Sequence, residues 1–194
     1  MKKNKIGIFG GSFNPVHKGH IIIAERFITD FDLDLLYVIP NHISPFKKEM
    51  EVSGEDRAEM LKIAFSGNQK IVIGNMEIKR GGTSYTCDTI ADIKAIHENG
   101  ELFLLIGDDH AKGFTKWKNC QYILDSVNLV VANRQGNDVS EYLKTIEDLA
   151  QKEVLVMQNQ PFECSSTEFR QQLNAQSLPE GVYEYIEKRG LYGL

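Results

Sequence analysis

Residues 7–20 read Gly-Ile-Phe-Gly-Gly-Ser-Phe-Asn-Pro-Val-His-Lys-Gly-His, and the fold can be worked out from this stretch. It starts inside an apolar run, 6–9, that predicts a β-strand, and an apolar helical pattern follows from Ile21. A strand that passes through a glycine-rich turn into a helix suits phosphate, because the turn exposes backbone N–H groups and the helix N-terminus carries partial positive charge. The stretch therefore predicts a phosphate site at the start of an α/β fold.

Apolar runs alternate with helical patterns along the rest of the chain. Alternation of this kind predicts βαβ units and a doubly wound, mostly parallel sheet, here in one domain over residues 1–194 with a small helical segment at its C-terminus. Loops are expected at 79–86 and in the irregular stretch 107–125. The predicted strands are 5–10, 35–39, 71–74 (extended loosely toward Ile78), 102–106, 127–132 and 154–157. The predicted helices are 19–29, 53–67, one capped by Ser84 or Thr86 and ending at Asn99, 139–152, 164–173 and 179–189.

Small and polar residues follow four of the predicted strands. They are Gly10-Gly11, Pro40-Asn41, Gly107-Asp108-Asp109 and Asn133-Arg134. In an open parallel sheet these loops all emerge at the carboxyl edge, where ligands bind at the switch in strand order. The chemically interesting residues are therefore expected together at one edge.

Composition excludes several classes of protein. The 194 residues carry a net charge of −5 with acidic and basic residues interleaved, whereas a duplex nucleic-acid binder normally has a basic face. No apolar run approaches the length of a signal peptide or a membrane span. Three scattered cysteines fit a reducing compartment, so a cytoplasmic protein is expected. The sequence leaves the oligomeric state open, and a homo-oligomer is compatible with it.

His17 and His20 are spaced to lie on one side of the first helical turn. Two imidazoles at a helix N-terminus would oppose the helix dipole if protonated, so the pair makes most sense with an anion between it and the backbone donors. A surface pair or two metal ligands are the alternatives. A metal site fits less well, because no third or fourth ligand follows at the usual spacing.

Residues 10–20 resemble the G-x-F-x-P-x-H-x-G-H signature of the nucleotidyltransferase superfamily with the His-x-x-His motif, and 166–170 (Ser-Thr-Glu-Phe-Arg) match its second motif. Within that superfamily the chain is similar from end to end to the bacterial nicotinate-mononucleotide adenylyltransferases. Asn14 stands where an acid is common, Val16 where a second proline often occurs, and Asp108 in a slot that is often small or apolar. The remaining segments that carry the likeness are 40–41, 45–47, 57–61, 84–89, 106–109, 116–117, 134–136 and 185–192.

The resemblance implies adenylyl transfer from ATP to nicotinate mononucleotide in a Rossmann-like nucleotidyltransferase fold. It implies His17, His20 and Arg170 as catalytic residues, with Mg²⁺ bound to the phosphates of ATP rather than by a protein cage. Asp109 is expected at the ribose hydroxyls, with a simple helix cap as the competing interpretation. The ATP-binding residues implied are Gly10, Gly11, Ser12, Phe13, His17, His20, Gly107, Asp109, Arg134, Ser166, Thr167 and Arg170.

For the acceptor, the resemblance implies Ser84, Tyr85, Thr86 and Trp117, with backbone N–H groups receiving the nicotinate carboxylate and Trp117 lying against the pyridine ring. Taken alone, Trp117 is at least as well explained as a core or rim residue. No role is assigned to the basic loop residues Lys47, Lys48, Lys79 and Arg80.

Three alternatives remain open from the sequence. Pantetheine-phosphate adenylyltransferases share both motifs but are usually shorter and lack the segments at 84–86 and 116–117. Nicotinamide mononucleotide is a second acceptor, because backbone donors do not by themselves distinguish a carboxylate from an amide. A non-catalytic nucleotide sensor is the third, and retention of both histidines and Arg170 argues against it.

Overall fold

The computed structural model describes residues 3–46, 52–133, 138–158 and 164–194. Its centre is a six-stranded sheet in the order β3-β2-β1-β4-β5-β6, with every neighbouring pair parallel. The prediction of a doubly wound α/β fold is therefore confirmed, with parallel pairing throughout the described sheet. The strands are β1 Lys5–Gly11, β2 Leu35–Pro40, β3 Ile71–Ile73, β4 Glu101–Gly107, β5 Asn128–Asn133 and β6 Leu155–Gln158.

Helices cover both faces of this sheet, which explains why the central strands are apolar without interruption. In β4, Phe103 and Leu105 face one core and Leu102, Leu104 and Ile106 face the other, as the period of two requires. Helices α1, α2, α8 and α9 contribute to the first core, and α4, α6 and α7 to the second. The helices are α1 Lys18–Asp30, α2 Gly54–Ala64, α3 Met76–Arg80, α4 Thr86–Ile96, α5 Asp108–Ala111, α6 Cys120–Ser126, α7 Ser140–Ala150, α8 Ser166–Gln172 and α9 Val182–Arg189.

Several local predictions are wrong, chiefly where elements are short. The third strand ends at Ile73 instead of reaching Ile78, and the predicted loop at 79–86 begins inside α3. The stretch 107–125 contains α5, most of α6 and a 3₁₀ turn at Phe114–Lys116. Helices of four to seven residues are too short to show an apolar period, so pattern reading passes over them.

Two helix starts also differ from prediction. The residue that precedes α4 is Tyr85, and it forms no capping hydrogen bond through its side chain, so neither Ser84 nor Thr86 is the cap. Helix α9 starts at Val182 and not at Pro179, because Gly181 adopts a left-handed backbone conformation (φ 77°) that interrupts the helix. By contrast, Ser53 caps α2 as expected by accepting from the Asp56 N–H.

The helices of the described residues are too short and too polar to cross a lipid bilayer.

The strand order reverses direction between β1 and β4, which are direct neighbours in the sheet. The connections that leave these two strands turn to opposite faces, so a crevice opens between them at the carboxyl edge.

Candidate active site

A cleft of about 770 Å³ opens at this crevice. The sequence predictions placed site residues in six separate segments of the chain, and the fold brings the five described ones to this cleft. Arg134 lies outside the described residues, as do Lys47 and Lys48. The predicted residues that line the cleft are Gly10, Gly11, Ser12, Phe13, His17, His20, Ser84, Tyr85, Thr86, Gly107, Asp109, Trp117, Ser166, Thr167 and Arg170.

The end of the cleft formed by residues 10–20 and 165–170 is called the phosphate end. Two glycines there have different reasons for lacking a side chain. A Cβ at Gly11 would come within 3.0 Å of the Phe13 ring, so the turn is packed there. A Cβ at Gly10 would have no protein atom within 4 Å and would enter the cleft. Gly10 thus leaves room for a ligand to approach the backbone.

The buried side chain of Phe13 stabilises the turn. Its backbone is left-handed (φ 44°), an unusual conformation for a residue with a large side chain. The ring is buried and makes edge contacts with Phe9, at 5.4 Å between centroids, and with His20, at 4.9 Å. Burial of this ring offsets the cost of the backbone conformation and fixes the orientation of the His20 ring.

The two histidines come together as predicted. His17 precedes the first residue of α1 and is 4% exposed, and its ring centroid lies 3.7 Å from that of His20. The His17 backbone N–H donates to Nδ1 of His20 at 3.2 Å. Since Nδ1 accepts this bond, the proton of the neutral His20 ring is on Nε2, which is then a donor.

Helix α8 completes the phosphate end. Ser165 caps it by accepting from the Glu168 N–H at 3.0 Å, and Ser166 Oγ donates to the carbonyl of Pro15 at 2.8 Å. The exposed Arg170 guanidinium donates to the carbonyl of Asn14 at 2.6 Å and to Thr167 Oγ1 at 3.3 Å. A residue 156 positions away in sequence is therefore anchored to the glycine-rich turn and presents a fixed positive charge beside it.

Arg57 is a residue of this region to which sequence reasoning assigned no role. It is 1% exposed, and its guanidinium donates to the carbonyls of Ser12 at 2.8 Å, Asn41 at 2.6 Å and Val52 at 3.3 Å. Burial lowers its pKa, an effect that Tyr192 and nearby carboxylates oppose. The sequence feature that could have indicated burial is the spacing of Arg57, which lies three and four positions before the buried Met60 and Leu61 and therefore on the apolar face of α2.

The other end of the cleft is called the aromatic end and contains Phe46, Ser84–Thr86, His110 and 114–117. Trp117 lies 5.2 Å from Phe114, 6.0 Å from His110 and 6.0 Å from Phe46 between ring centroids. Phe114 is buried, whereas Phe46 is 57% exposed. A planar ligand ring would meet flat apolar surfaces here, with a buried ring behind Trp117 to support it.

Ser84 is buried, and its hydroxyl is used to hold the neighbouring loop. Its Oγ accepts from the His42 N–H at 2.9 Å, and its own N–H donates to the carbonyl of Ile43 at 2.9 Å. Lys118 Nζ lies over the ring of Tyr85, 4.2 Å from the ring centroid. The side chain of Ser84 thus supports the aromatic end, while the backbone of 84–86 borders the cleft.

Glu77 is a second residue that pattern reading missed, because α3 itself was read as strand and loop. It is buried, it lines the cleft and its carboxylate accepts from Thr89 Oγ1 at 2.6 Å. Burial raises its pKa, and hydrogen bonds from Thr89 and Ser84 together with Arg80 and Arg57 oppose that rise. It connects α3, α4 and the loop that carries Ser84.

Asp109 is exposed at the start of α5 and faces the cleft. The competing interpretation, a simple helix cap, does not describe it, since the cap position of α5 is Gly107. Asp108, by contrast, is buried and is not among the residues that line the cleft. Of the basic residues without a predicted role, Lys79 and Arg80 are exposed on α3, and Arg80 pairs with Asp92 at 2.5 Å.

Residues 8–172 match the family described as cytidylyltransferase-like. A protein of Geobacillus thermodenitrificans named probable nicotinate-nucleotide adenylyltransferase is 36% identical over 97% of this chain and 86% of its own length. One from Dictyoglomus turgidum with the same name is 32% identical over 97% of this chain and 95% of its own length.

A similar fold occurs in the solved structure of Plasmodium falciparum nicotinic acid mononucleotide adenylyltransferase complexed with NaAD. The TM-score is 0.75 at 18% identity, and the superposition covers 97% of each chain. At that identity the likeness concerns the fold, while the two bacterial relatives carry the family assignment. The chain belongs to the cytidylyltransferase-like family and, within it, to the nicotinate-nucleotide adenylyltransferases.

Proposed function

We propose that this chain transfers the adenylyl group of ATP to nicotinate mononucleotide, which yields nicotinate adenine dinucleotide and pyrophosphate and serves NAD biosynthesis. The relatives' names agree with this activity. The observation that carries the proposal is one cleft with two unlike ends. Hydrogen-bond donors suited to phosphate lie at one end, and aromatic rings suited to packing against a pyridine ring lie at the other.

The nucleophile is an oxygen of the 5′-phosphate of nicotinate mononucleotide. It bonds to the α-phosphorus of ATP while the bond from that phosphorus to the bridging oxygen of the β-phosphate breaks. A phosphate monoester is largely ionised near neutral pH, since its second pKa is about 6, so this step requires no general base. The protein's task is to align two anions and to stabilise the charge that moves to pyrophosphate.

His17, His20 and Arg170 are assigned to that stabilisation. His20 donates from Nε2, because its Nδ1 accepts the His17 N–H. The Arg170 guanidinium, held at the Asn14 carbonyl, supplies positive charge for the β- and γ-phosphates. The Thr167 hydroxyl and the backbone N–H groups of 10–13 and 166–167 supply neutral donors around them. Fixed donors of this kind require no reorganisation when charge develops.

Mg²⁺ is proposed as the ion that accompanies ATP. The described residues of the phosphate end that line the cleft offer imidazoles, hydroxyls, N–H groups and a guanidinium, which suit phosphate oxygens, but no carboxylate of the kind through which proteins usually bind Mg²⁺. In the ranges that the structure describes, no three His, Cys, Asp or Glu side chains form a metal-binding group. This donor set fits an ion held by the phosphates, where it would neutralise part of their charge.

At the aromatic end, Trp117 is assigned to the pyridine ring, and the N–H groups of 84–86 and 117 to the nicotinate carboxylate. Ser84 contributes by holding the 42–44 loop rather than by contacting the substrate with its hydroxyl. Gly107 and Asp109 are assigned to the nucleotide sugar, because they lie at the end of β4, the strand next to β1 at the crevice, and line the cleft.

The proposed partners are the two nucleotide substrates.

A cytoplasmic location is proposed from the three cysteines, each of which is a free thiol. The oligomeric state is left open, so activity should be compared across protein concentrations in any assay.

A coupled pyrophosphate-release assay tests the function. ATP is supplied with nicotinate mononucleotide, nicotinamide mononucleotide or phosphopantetheine in turn. We expect kcat/KM to be highest with nicotinate mononucleotide. Preference for either other acceptor would change the substrate assignment, and ATP binding without turnover on any acceptor would favour the nucleotide sensor.

A further inference from the structure

The residues 12–15 of the glycine-rich turn are held from outside their own βα unit. Arg57 holds the Ser12 carbonyl, Arg170 the Asn14 carbonyl and Ser166 the Pro15 carbonyl. These three bonds go to the backbone. The Asn14 side chain makes a fourth bond, and its partner is the third residue from the C-terminus.

Tyr192 OH donates to Oδ1 of Asn14 at 2.7 Å, which is the usual length for such a bond. Its ring packs edge-on against the buried Phe169 of α8 at 5.6 Å between centroids. Burial raises the pKa of Tyr192 above its ordinary value, so the hydroxyl remains a donor near neutral pH. Both Tyr192 and Asn14 line the cleft.

The position of Tyr192 is itself fixed. Its backbone is left-handed (φ 58°), as is that of Gly190 (φ 62°), so the chain turns back sharply after α9. Helix α9 is attached to α2 through Asp56, which accepts from Tyr185 OH at 2.8 Å and from Arg189 Nε at 3.2 Å. The C-terminal turn is thus presented to the glycine-rich turn by a supported helix.

We propose that Tyr192 is a positioning residue for adenylyl transfer, which holds Asn14 so that the turn and the Arg170 guanidinium bonded to it keep one arrangement against the triphosphate. Tyr192 acts through Asn14 and not on the acceptor. Loss of its hydroxyl should therefore weaken ATP binding and turnover and leave the KM for nicotinate mononucleotide unchanged. The inference rests on the proposed function.

The test compares Tyr192→Phe, Asn14→Ala and the double variant. Each single change should lower kcat about three- to tenfold, the scale of one hydrogen bond, and should weaken ATP binding measured by calorimetry without acceptor. The double variant should be no worse than either single variant, since both remove the same contact.

Tyr37→Phe is the matched control, because it also removes a hydrogen-bonded tyrosine hydroxyl, but Tyr37 does not line the cleft and its partner, His97, lies outside the turn. It should lower the melting temperature as Tyr192→Phe does but keep kcat within about twofold of the wild type. The inference is overturned if Tyr192→Phe changes only the melting temperature, or if the losses of the two single variants multiply in the double variant. If the wild type binds ATP but does not turn over any acceptor, the proposed function is rejected instead. In that case the calorimetric ATP affinities of the wild type and Tyr192→Phe would still test whether Tyr192 positions the turn.

Discussion

Hydrogen bonds from distant elements hold the phosphate end of the cleft, whereas the aromatic end consists of rings that contact one another. At the phosphate end, Arg57, Ser166 and Arg170 donate to three carbonyls of one short turn. At the aromatic end, Trp117 contacts rings at 5.2–6.0 Å, and one of them, Phe46, is mostly exposed. A rigid end suits a step in which charge develops, and an end that depends on surface contact suits the binding of a planar ring.

The largest effect is expected at the phosphate end. His20→Ala or Arg170→Ala should each lower kcat by about 10²–10³, because each removes a donor directed at charge that develops in the transition state. Steady-state kinetics with saturating ATP and nicotinate mononucleotide measures this. Lys18→Ala, an exposed change in the same helical turn, is the control. A loss below tenfold would remove the residue from the catalytic role.

Arg57 links the two ends of the cleft through the 41–42 loop. It holds the Ser12 carbonyl at the phosphate end and the carbonyls of Asn41 and His42, and the His42 N–H donates to Ser84 of the aromatic end. Arg57→Met should raise the KM for both substrates and lower the free energy of unfolding by about 1–3 kcal/mol, because buried carbonyls lose their donor. Denaturant unfolding and kinetics measure the two effects. Arg57→Lys should recover part of both. A change in only one KM would mean that the two ends are independent of each other.

The aromatic end should respond selectively. Trp117→Ala should raise the KM for nicotinate mononucleotide by about three- to tenfold, the scale of one aromatic contact, and change the KM for ATP little. Trp117→Phe should keep most of the affinity. If the KM for ATP rises instead, Trp117 contacts ATP rather than nicotinate mononucleotide, and the division of the cleft into two ends is wrong.

The smallest effect concerns the pH dependence of stability through Glu77. Burial raises the pKa of Glu77 in the folded state, so between the unfolded and folded values the native protein holds a proton that the unfolded chain has lost. This carboxyl therefore makes stability fall as pH rises above about 4.5. Glu77→Gln should reduce that fall, as measured by melting temperature from pH 4.5 to 8. Glu98→Gln, a change at an exposed carboxylate, should not. An unchanged slope in Glu77→Gln would contradict the raised pKa.

Sequence reasoning was most accurate where structure and chemistry depend on contiguous residues. The strands are long apolar runs, and the glycine-rich turn with His17 and His20 lies within fourteen residues. Periodicity and spacing therefore predicted the doubly wound sheet and the convergence of the histidines, whose rings lie 3.7 Å apart. The roles assigned to the individual residues of the cleft remain predictions.

Reasoning of the same kind missed what depends on contacts between distant segments. Glu77 lies in a five-residue helix that shows no period, and Arg57 was unassigned because a buried arginine resembles a surface one in sequence. The C-terminal tyrosine was recognised as part of a familiar segment, but nothing in the sequence indicated that its partner is Asn14, 178 positions earlier.

The amino-acid sequence by itself determined the alternation of strands and helices, the glycine-rich turn and the family resemblance, because these follow from local hydrophobic period and from motifs of contiguous residues. Only the tertiary structure decided which carbonyls of the turn are held, and by what. Packing of α2, α8 and α9 on one face of the sheet brings Arg57, Arg170 and Tyr192 to residues 12–14. Donors and acceptors so far apart in the chain become partners only after the core has formed.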